Sequence, residues 1–450
     1  EHDPEEILQS CIATVSQVLG AYPQCRREDI VSLGIDNQGE TCTIWESNTG
    51  RPIYNALVWQ DRRTSAFCDA LRESHGEYIR QTTGLVADAY FSASKFRWIL
   101  DNVEGARERA ARGELMAGTL DSFLIYRLTG KKAWITDAST AGRTMLMDMR
   151  RGQWDQTMLD LCDIPRALLP DIRDCSCFYA YTDPDIFCGL HIPVAASLAD
   201  AHAALCAQGC LSPGDIKVTY GTGVFMNMNT GNNMILSQHG LTCSLPWQIN
   251  GVRTYALGGS AYIAGAAIQW LQNGLGIISH AAETQALAQS VADSGGVYFV
   301  PAFSGLAAPW WDQYARGMII GLTGGTTKAH LARAVLESIA FQVYDNAITM
   351  QKDADKPLTV IKADGGPVDN EFLMQFQADL LGIPVEIPNE KETSAYGAAF
   401  LAALAVGEFY DISDVKNCLK LKKRYLPTMS VDERLSRIDW WHRAVKRSLN

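Results

Sequence analysis

Two glycine-rich turns, far apart in the chain, carry the clearest chemical signal of the sequence. The first is Thr-Tyr-Gly-Thr-Gly at residues 219–223, and the second is Asp-Gly-Gly-Pro at residues 364–367. Each follows a short run that predicts a β-strand. Because glycine has no side chain, backbone N–H groups in such turns can converge on an anion. One such turn is commonly just a turn, but two on one face of a sheet would suit the phosphates of a nucleotide.

The elements that must position these turns alternate between predicted strands and predicted helices. The predicted strands are residues 30–36, 41–45, 53–59, 225–228 and 358–363. The predicted helices include one that begins at Pro4 and others at residues 62–72, 263–275, 328–350, 371–381 and 393–406. This alternation indicates the α/β class, and 450 residues are too many for one core. We therefore expect two α/β domains, at residues 1–208 and 209–450.

The composition excludes several classes of protein. The chain has 50 acidic and 39 basic residues, and its net charge of −11 argues against a nucleic-acid partner or a membrane surface. No apolar stretch is long enough to predict membrane insertion. The 12 cysteines lack the repeated spacing of a zinc site, so we expect reduced thiols and a cytoplasmic protein.

Two longer motifs identify a family. Residues 90–98 (YFSASKFRW) resemble the first signature of the FGGY carbohydrate kinases, and residues 317–322 with residues 330–337 resemble the second. The resemblance runs from Glu1 to the C-terminus and is closest to the glycerol kinases. It implies two actin-like, ribonuclease-H-like domains that flank a catalytic cleft. It also implies ATP and Mg²⁺ as cofactors, a small polyol as substrate, and a homodimer or homotetramer.

The resemblance assigns the acceptor side of this cleft. Asp200 matches the family's general base, which would take the proton from the attacking hydroxyl, and we also place the metal ion there. From the residues alone, Asp200 could instead be a helix N-cap. Glu40, Trp59, Tyr90 and Phe225, together with Asp200, match the substrate pocket. Without the family, each aromatic residue would be read as ordinary core.

The resemblance also assigns the nucleotide side. The matching positions are Thr222 and Gly223 in the phosphate turn, Gly265 and Gln269 on a nucleotide-contacting helix, and Gly366 and Asn370 near the adenosine. Asn370 is placed to bond the base. For Gln269 an exposed helix amide is the alternative, and for Gly265 a helix packing contact.

Three departures from the family pattern leave alternatives open. The family begins with a phosphate-loop hairpin, and Glu1 falls after it, so we expect a first domain truncated at its N-terminus or a pseudokinase. Gly39 and Ala201 stand where glycerol kinases carry an arginine and a glutamine, which predicts a roomier pocket. The loop that binds fructose 1,6-bisphosphate in bacterial glycerol kinases is replaced by residues 185–191, which predicts that this control is absent.

The predicted function is ATP-dependent phosphorylation of a polyol at a terminal hydroxyl, with glycerol as the leading substrate and sn-glycerol 3-phosphate as its product. A second hypothesis keeps the chemistry but changes the acceptor to another polyol or a ketopentose, because Gly39 and Ala201 alter the pocket. Under that hypothesis His202 contacts the substrate, whereas a core histidine is the alternative. A third hypothesis is a binding protein without catalysis.

Overall fold

The computed structural model describes residues 1–310, 312 and 314–449, and helices and strands alternate through them. The first part of the molecule ends with helix α8 (Asp200–Ala207), and the second part begins with strand β10 (Ile216–Tyr220). The strands of the first part are β1 (Leu33–Asn37), β2 (Cys42–Glu46), β3 (Leu115–Thr119), β4 (Ile135–Asp137), β5 (Met147–Asp148), β6 (Gln153–Trp154), β7 (Asp171–Arg173), β8 (Ser176–Tyr181) and β9 (Pro193–Ala199). Its helices are α1 (Pro4–Ala21), α2 (Ser65–Thr83), α3 (Ser92–Asn102), α4 (Ala106–Ala111), α5 (Leu120–Leu128), α6 (Ala138–Ala141), α7 (Gln156–Cys162) and α8 (Asp200–Ala207).

The second part of the molecule also contains both strands and helices. Its strands are β10 (Ile216–Tyr220), β11 (Val224–Gly231), β12 (Thr242–Ile249), β13 (Val252–Ala261), β14 (Tyr298–Val300), β15 (Met318–Ile320), β16 (Ile361–Asp364), β17 (Val385–Pro388) and β18 (Leu421–Tyr425). Its helices are α9 (Gly265–Gln269), α10 (Glu283–Gln289), α11 (Lys328–Ala354), α12 (Glu371–Leu381), α13 (Thr393–Ala405), α14 (Val415–Cys418) and α15 (Val431–Ser448). Across the described residues, no helix combines the length and apolarity that a membrane span requires.

A seven-stranded sheet in the second part places the two glycine turns side by side. Its strand order is β12-β13-β11-β10-β16-β17-β18. Strands β10 and β16 are parallel neighbours, with Thr219 opposite Asp364. Since parallel strands end at the same edge of a sheet, the turns that follow them meet there. The two turns therefore meet the condition under which they would suit the phosphates of a nucleotide.

A smaller sheet in the first part brings two carboxylates to one edge in the same way. Its strand order is β1-β9-β8, and β1 runs parallel to β9 with Asn37 opposite Ala199. Glu40 follows β1 by three residues, and Asp200 follows β9 directly. The chain thus carries both acidic side chains to the carboxyl edge of this sheet.

Two helices join the parts of the molecule. Helix α8 leads out of β9, and α13 returns from the second part to pack against α8 and β1. A Cβ on Gly397 would lie 2.0 Å from the carbonyl oxygen of Ala203, so glycine is required where the two backbones meet. Ala398 and Leu401 of α13 belong to the same hydrophobic cluster as Leu205 of α8. The two parts therefore share a core at this crossing.

One predicted strand, at residues 53–59, is wrong. The segment runs beside β2 but pairs with it through isolated bridges, from Trp45 to Pro52 and from Cys42 to Leu57. The bridge partners are further apart along this segment than along β2, so the extra residues bulge out and the ladder is interrupted.

Candidate active site

Asp200 is the first residue of α8, at the edge where β9 ends. The N-cap of the helix is Ala199, whose side chain makes no capping bond. The Asp200 carboxylate instead accepts a hydrogen bond of 2.6 Å from the amide of Ala201 and remains open to solvent. Capping therefore does not account for this aspartate. Although solvent reaches it, the surrounding protein desolvates the carboxylate, and the charge of Glu40 adds to this effect. Both raise the pKa of Asp200.

The acceptor side of the site gathers four polar side chains. Arg143 Nε donates a hydrogen bond of 2.6 Å to Glu40 Oε1, and the two side chains are 15% and 9% exposed. Burial raises the pKa of Tyr90 strongly, and the charges of Glu40, Arg143 and Asp200 also act on its hydroxyl. These four groups therefore lie close enough for their charges to interact. Trp59 meets Tyr90 edge to face, with ring centroids 5.9 Å apart.

Phe225 contributes an aromatic surface from the other part of the molecule. It lies on β11, opposite Thr219 of β10, and just after the first glycine turn. Its side chain is 45% exposed, although the neighbouring residues of the strand are buried. An exposed ring at this position is available to pack against a ligand.

The first glycine turn packs directly on the start of α9. The amide of Gly265 donates to the carbonyl oxygen of Gly221 at 2.9 Å, and the amide of Ala264 donates to that of Thr222 at 2.8 Å. A Cβ on Gly223 would lie 2.6 Å from the carbonyl oxygen of Ala261, and one on Gly265 would lie 2.6 Å from that of Gly221. Close backbone approach thus explains both glycines and brings them together with Thr222. Gln269, the last residue of α9, is exposed.

The second glycine turn is equally tight. Gly365 has φ of 97°, and a Cβ there would lie 1.9 Å from the carbonyl oxygen of Tyr220, whereas the space beside Gly366 is open. Asn370 is the N-cap of α12: its Oδ1 accepts from the amide of Leu373 at 3.0 Å, and its Nδ2 donates to Thr284 Oγ1 at 3.2 Å. These two bonds leave one donor and one acceptor position of the Asn370 amide unused.

Lys95 holds the backbone of two residues of the acceptor side. The sequence alone gave it no role. Lys95 is fully buried, and its Nζ donates to the carbonyl oxygens of Glu40 at 2.9 Å and Tyr90 at 2.7 Å. Burial lowers the pKa of this lysine. Lys95 thus fixes the backbone of two pocket residues. A lysine within the buried face of a helix was the available signal, but its partners depend on the fold.

Asp364 links the two helices that join the parts of the molecule. Its Oδ2 accepts from Gln208 Nε2 at 2.6 Å, just after α8, and from Thr393 Oγ1 at 2.8 Å, at the start of α13. The second glycine turn therefore begins at a residue held by both helices. The sequence around Asp364 indicates a turn alone, because contacts between distant segments leave no local pattern.

His202 is a buried side chain of α8 rather than an open substrate contact. It is 2% exposed, and its Nδ1 has no hydrogen-bond partner within the described ranges. Burial, followed by the charges of Arg143 and Lys217, holds its pKa well below the usual value. The imidazole is therefore neutral near pH 7.

The site suits a metal ion that arrives with a nucleotide. Within the part of the chain that the structure describes, no three His, Cys, Asp or Glu side chains form a ready-made metal cluster. Mg²⁺ in kinases is commonly held by one or two carboxylates together with substrate phosphates. The open carboxylate of Asp200 fits that requirement, whereas Glu40 is already engaged by Arg143.

The family comparison agrees with this geometry. Residues 1–207 match the N-terminal domain of the FGGY family of carbohydrate kinases, and residues 216–406 match the C-terminal domain of that family. The chain therefore belongs to the FGGY family of carbohydrate kinases, which are phosphotransferases with an alcohol acceptor. Its fold is the two-domain, actin-like α/β fold predicted from the sequence.

Individual relatives are similar over the whole chain. Glycerol kinase 2 of Thermotoga maritima is 52% identical over 453 residues, which cover 100% of this chain and 90% of the relative. A glycerol kinase of Carboxydothermus hydrogenoformans is 49% identical over 449 residues, with the same coverage. The crystal structure of Plasmodium falciparum glycerol kinase with ADP superposes with a TM-score of 0.95 at 32% identity, and covers 100% of this chain and 90% of that one.

Proposed function

We propose that this chain transfers the γ-phosphoryl group of ATP to a terminal hydroxyl of glycerol, which gives sn-glycerol 3-phosphate and ADP. The observation that carries this proposal is the position of Asp200. Its carboxylate is open to solvent and lies within electrostatic reach of Glu40 in the first part of the chain and of Lys217, on the strand before the phosphate turn, in the second. The full-length similarity to glycerol kinases supports glycerol as the acceptor.

In the proposed reaction Asp200 is the general base. Its carboxylate accepts the proton of the hydroxyl while the hydroxyl oxygen attacks the γ-phosphorus, and the bond from that phosphorus to the bridging oxygen of ADP breaks. A raised pKa makes the carboxylate a stronger base than an ordinary aspartate. Mg²⁺ bound beside Asp200 would neutralise charge on the β- and γ-phosphates.

The remaining candidate residues divide between the two substrates. On the acceptor side, Trp59, Tyr90 and Phe225 would pack against the carbon chain, while Glu40 and Asp200 order its hydroxyls. On the nucleotide side, the Thr222 and Gly223 amides would hold phosphate. The other nucleotide contacts we propose are Gly265, Gln269, Gly366 and Asn370.

The family resemblance extends the proposal to the organisation of the protein. We propose an acceptor-binding domain at residues 1–208, a nucleotide-binding domain at residues 209–450, and a homodimer or homotetramer in the cytoplasm. Light scattering on the purified chain would test the assembly. A mass equal to one 49.4 kDa chain would contradict it.

Release of ADP from Mg-ATP, with glycerol, erythritol, xylitol or ribulose as acceptor, tests the function. We expect the highest kcat/KM with glycerol and a fall in kcat of roughly 10²–10⁴-fold in Asp200→Asn, with ATP binding retained. Asp185→Asn, an exposed aspartate in a loop, is the matched control. A higher kcat/KM with another acceptor would contradict glycerol as the substrate but would still support kinase activity. ATP binding without turnover on any acceptor would instead support a binding protein.

A further inference from the structure

Arg143 bonds Glu40 but has no role in the proposed reaction. It lies in the turn after α6, where its amide donates to the carbonyl oxygen of Thr140 at 2.9 Å. The next residue, Thr144, accepts a bond of 2.9 Å from the amide of Ala93 in α3. The backbone on both sides of Arg143 is thus tied to a helix, so its side chain enters the pocket from a fixed point.

The stem of Arg143 fills the space beside Gly39. A Cβ on Gly39 would lie 3.0 Å from Arg143 Cγ and 3.0 Å from the Cβ of Ala199. The glycine at position 39 therefore does not leave an empty volume. It provides the room in which Arg143 reaches the pocket.

The guanidinium of Arg143 has more donors than partners among the described residues. Its Nε bonds Glu40, and its central carbon lies 5.8 Å from the ring centroid of Tyr90 and 5.2 Å from that of Phe91. The Tyr90 hydroxyl is close enough to interact with its charge. A guanidinium carries five N–H donors, so these contacts leave several for a ligand.

We propose that Arg143 binds the acceptor directly, with its terminal nitrogens donating to neighbouring hydroxyl groups while Nε holds Glu40 in place to accept from one of them. This inference rests on the proposed function and names the residue that selects the acceptor. A planar guanidinium matches two oxygen atoms side by side, so it favours a short polyol with adjacent hydroxyls. Arg143 would thus supply the charged donor that position 39 lacks.

The test compares KM for glycerol with KM for ATP in the full chain. Arg143→Met should raise the KM for glycerol roughly 10- to 100-fold, while the KM for ATP changes less than about twofold. Arg143→Lys keeps the positive charge but loses the planar guanidinium that can bind two oxygen atoms, so most of the rise in the KM for glycerol should remain. Arg109→Met is the control, because Arg109 pairs with Glu46 at 2.7 Å in the same part of the molecule but outside the pocket. Melting temperature and ATP binding are measured for every variant.

A second pair of variants separates substrate binding from a structural role. Gly39→Arg should impair the enzyme, because its new side chain meets that of Arg143. Combined with Arg143→Met, the arginine at position 39 can enter the vacated space, so the double variant should have a lower KM for glycerol than either single variant. An unchanged KM for glycerol in Arg143→Met, or purely additive losses in the double variant, would overturn the proposal. A wild-type chain without acceptor-dependent ADP release would overturn the proposed function instead.

Discussion

At the scale of single residues, the site is defined by how few of its charges are neutralised. Glu40 has a close cationic partner in Arg143, whereas Asp200 has one backbone hydrogen bond. The two carboxylates are near enough for Glu40 to raise the pKa of Asp200. An acid with an unneutralised charge in a desolvated setting is suited to take up a proton.

This pair predicts a change in pH dependence. The base must be deprotonated, so kcat/KM should fall on the acidic side as pH drops through the raised pKa of Asp200. Glu40→Gln removes a negative neighbour, so the acidic limb of kcat/KM should move to lower pH. The quantity to compare is the pH at which kcat/KM falls on the acidic side, because the variant also loses substrate affinity and its absolute kcat/KM will be lower. Glu46→Gln, at the far end of β2, should leave the limb in place. A limb that does not move in Glu40→Gln would rule out this coupling.

Lys95 predicts a loss of both stability and acceptor binding. Lys95→Met removes the buried donor to the Tyr90 carbonyl and leaves the Glu40 carbonyl with the Ser92 hydroxyl at 3.1 Å. An unpaired buried group costs about 1–3 kcal/mol. Thermal unfolding should show a lower melting temperature, and the KM for glycerol should rise more than the KM for ATP. In Lys131→Met, which loses one exposed bond to the carbonyl of Asn48, both quantities should stay near wild type. Equal changes in the two KM values would contradict a positioning role.

The family resemblance was enough to propose Asp200, Glu40 and the aromatic pocket, whereas residue types alone left Asp200 open to interpretation as a helix N-cap and the aromatic residues as ordinary core. Neither could reveal Arg143 or Lys95 as supports. Arg143 reaches Glu40 across 103 residues of chain, and Lys95 reaches it across 55. Such contacts exist once β1, α3 and α6 have packed together. The motif also could not show that the stem of Arg143 occupies the space beside Gly39.

At the scale of elements, the ends of parallel strands create the site. Strand pairs β1/β9 and β10/β16 each deliver two functional segments to one edge. Periodicity predicted most of these strands and several helices, including α12 and α13, whose bounds agree within a residue. Pairing order was not predictable, because it is decided by contacts between distant segments.

In the second glycine turn, which follows β16, a small substitution should have a large effect on stability. Gly365→Ala would force a Cβ against the carbonyl oxygen of Tyr220 in a left-handed conformation, with φ of 97°. Strain and overpacking together should lower the free energy of unfolding by about 2–5 kcal/mol and weaken ATP binding. Gly407→Ala is a matched control, since Gly407 has φ of 88° but open space around it. Similar losses in both variants would show that close approach to Tyr220 is unimportant.

At the scale of the whole molecule, a buried carboxylate pair in the first part makes stability depend on pH. Asp121 and Asp137 are both fully buried, and Asp121 accepts hydrogen bonds from Thr119 and Thr136. Burial, followed by the charge of Asp137, raises the pKa of Asp121 to about 7. The folded state therefore holds a proton that the unfolded chain releases near pH 4. This contribution to stability is complete at low pH and is lost as pH rises through 7.

Comparison of Asp121→Asn with wild type isolates that contribution. Between about pH 4 and pH 8, the free energy of unfolding of the variant should rise relative to wild type by roughly 2–4 kcal/mol. The difference between the proteins is the readout, since groups outside the Asp121–Asp137 pair, such as His202, titrate equally in both. Urea unfolding at several pH values measures it. A constant difference across that range would show that Asp121 is charged in the folded protein.

The crossing of α8 and α13 determines how the molecule can move. Their backbones touch at Gly397 and Ala203, so the helices cannot approach further, and their shared apolar cluster resists separation. Small relative movements of packed helices are a known form of domain motion. Asp200 lies at one end of α8, and Asp364 is bonded to residues at the end of α8 and the start of α13. We therefore expect the crossing to act as a pivot, where a small change of angle would swing the proton acceptor relative to the phosphate turns.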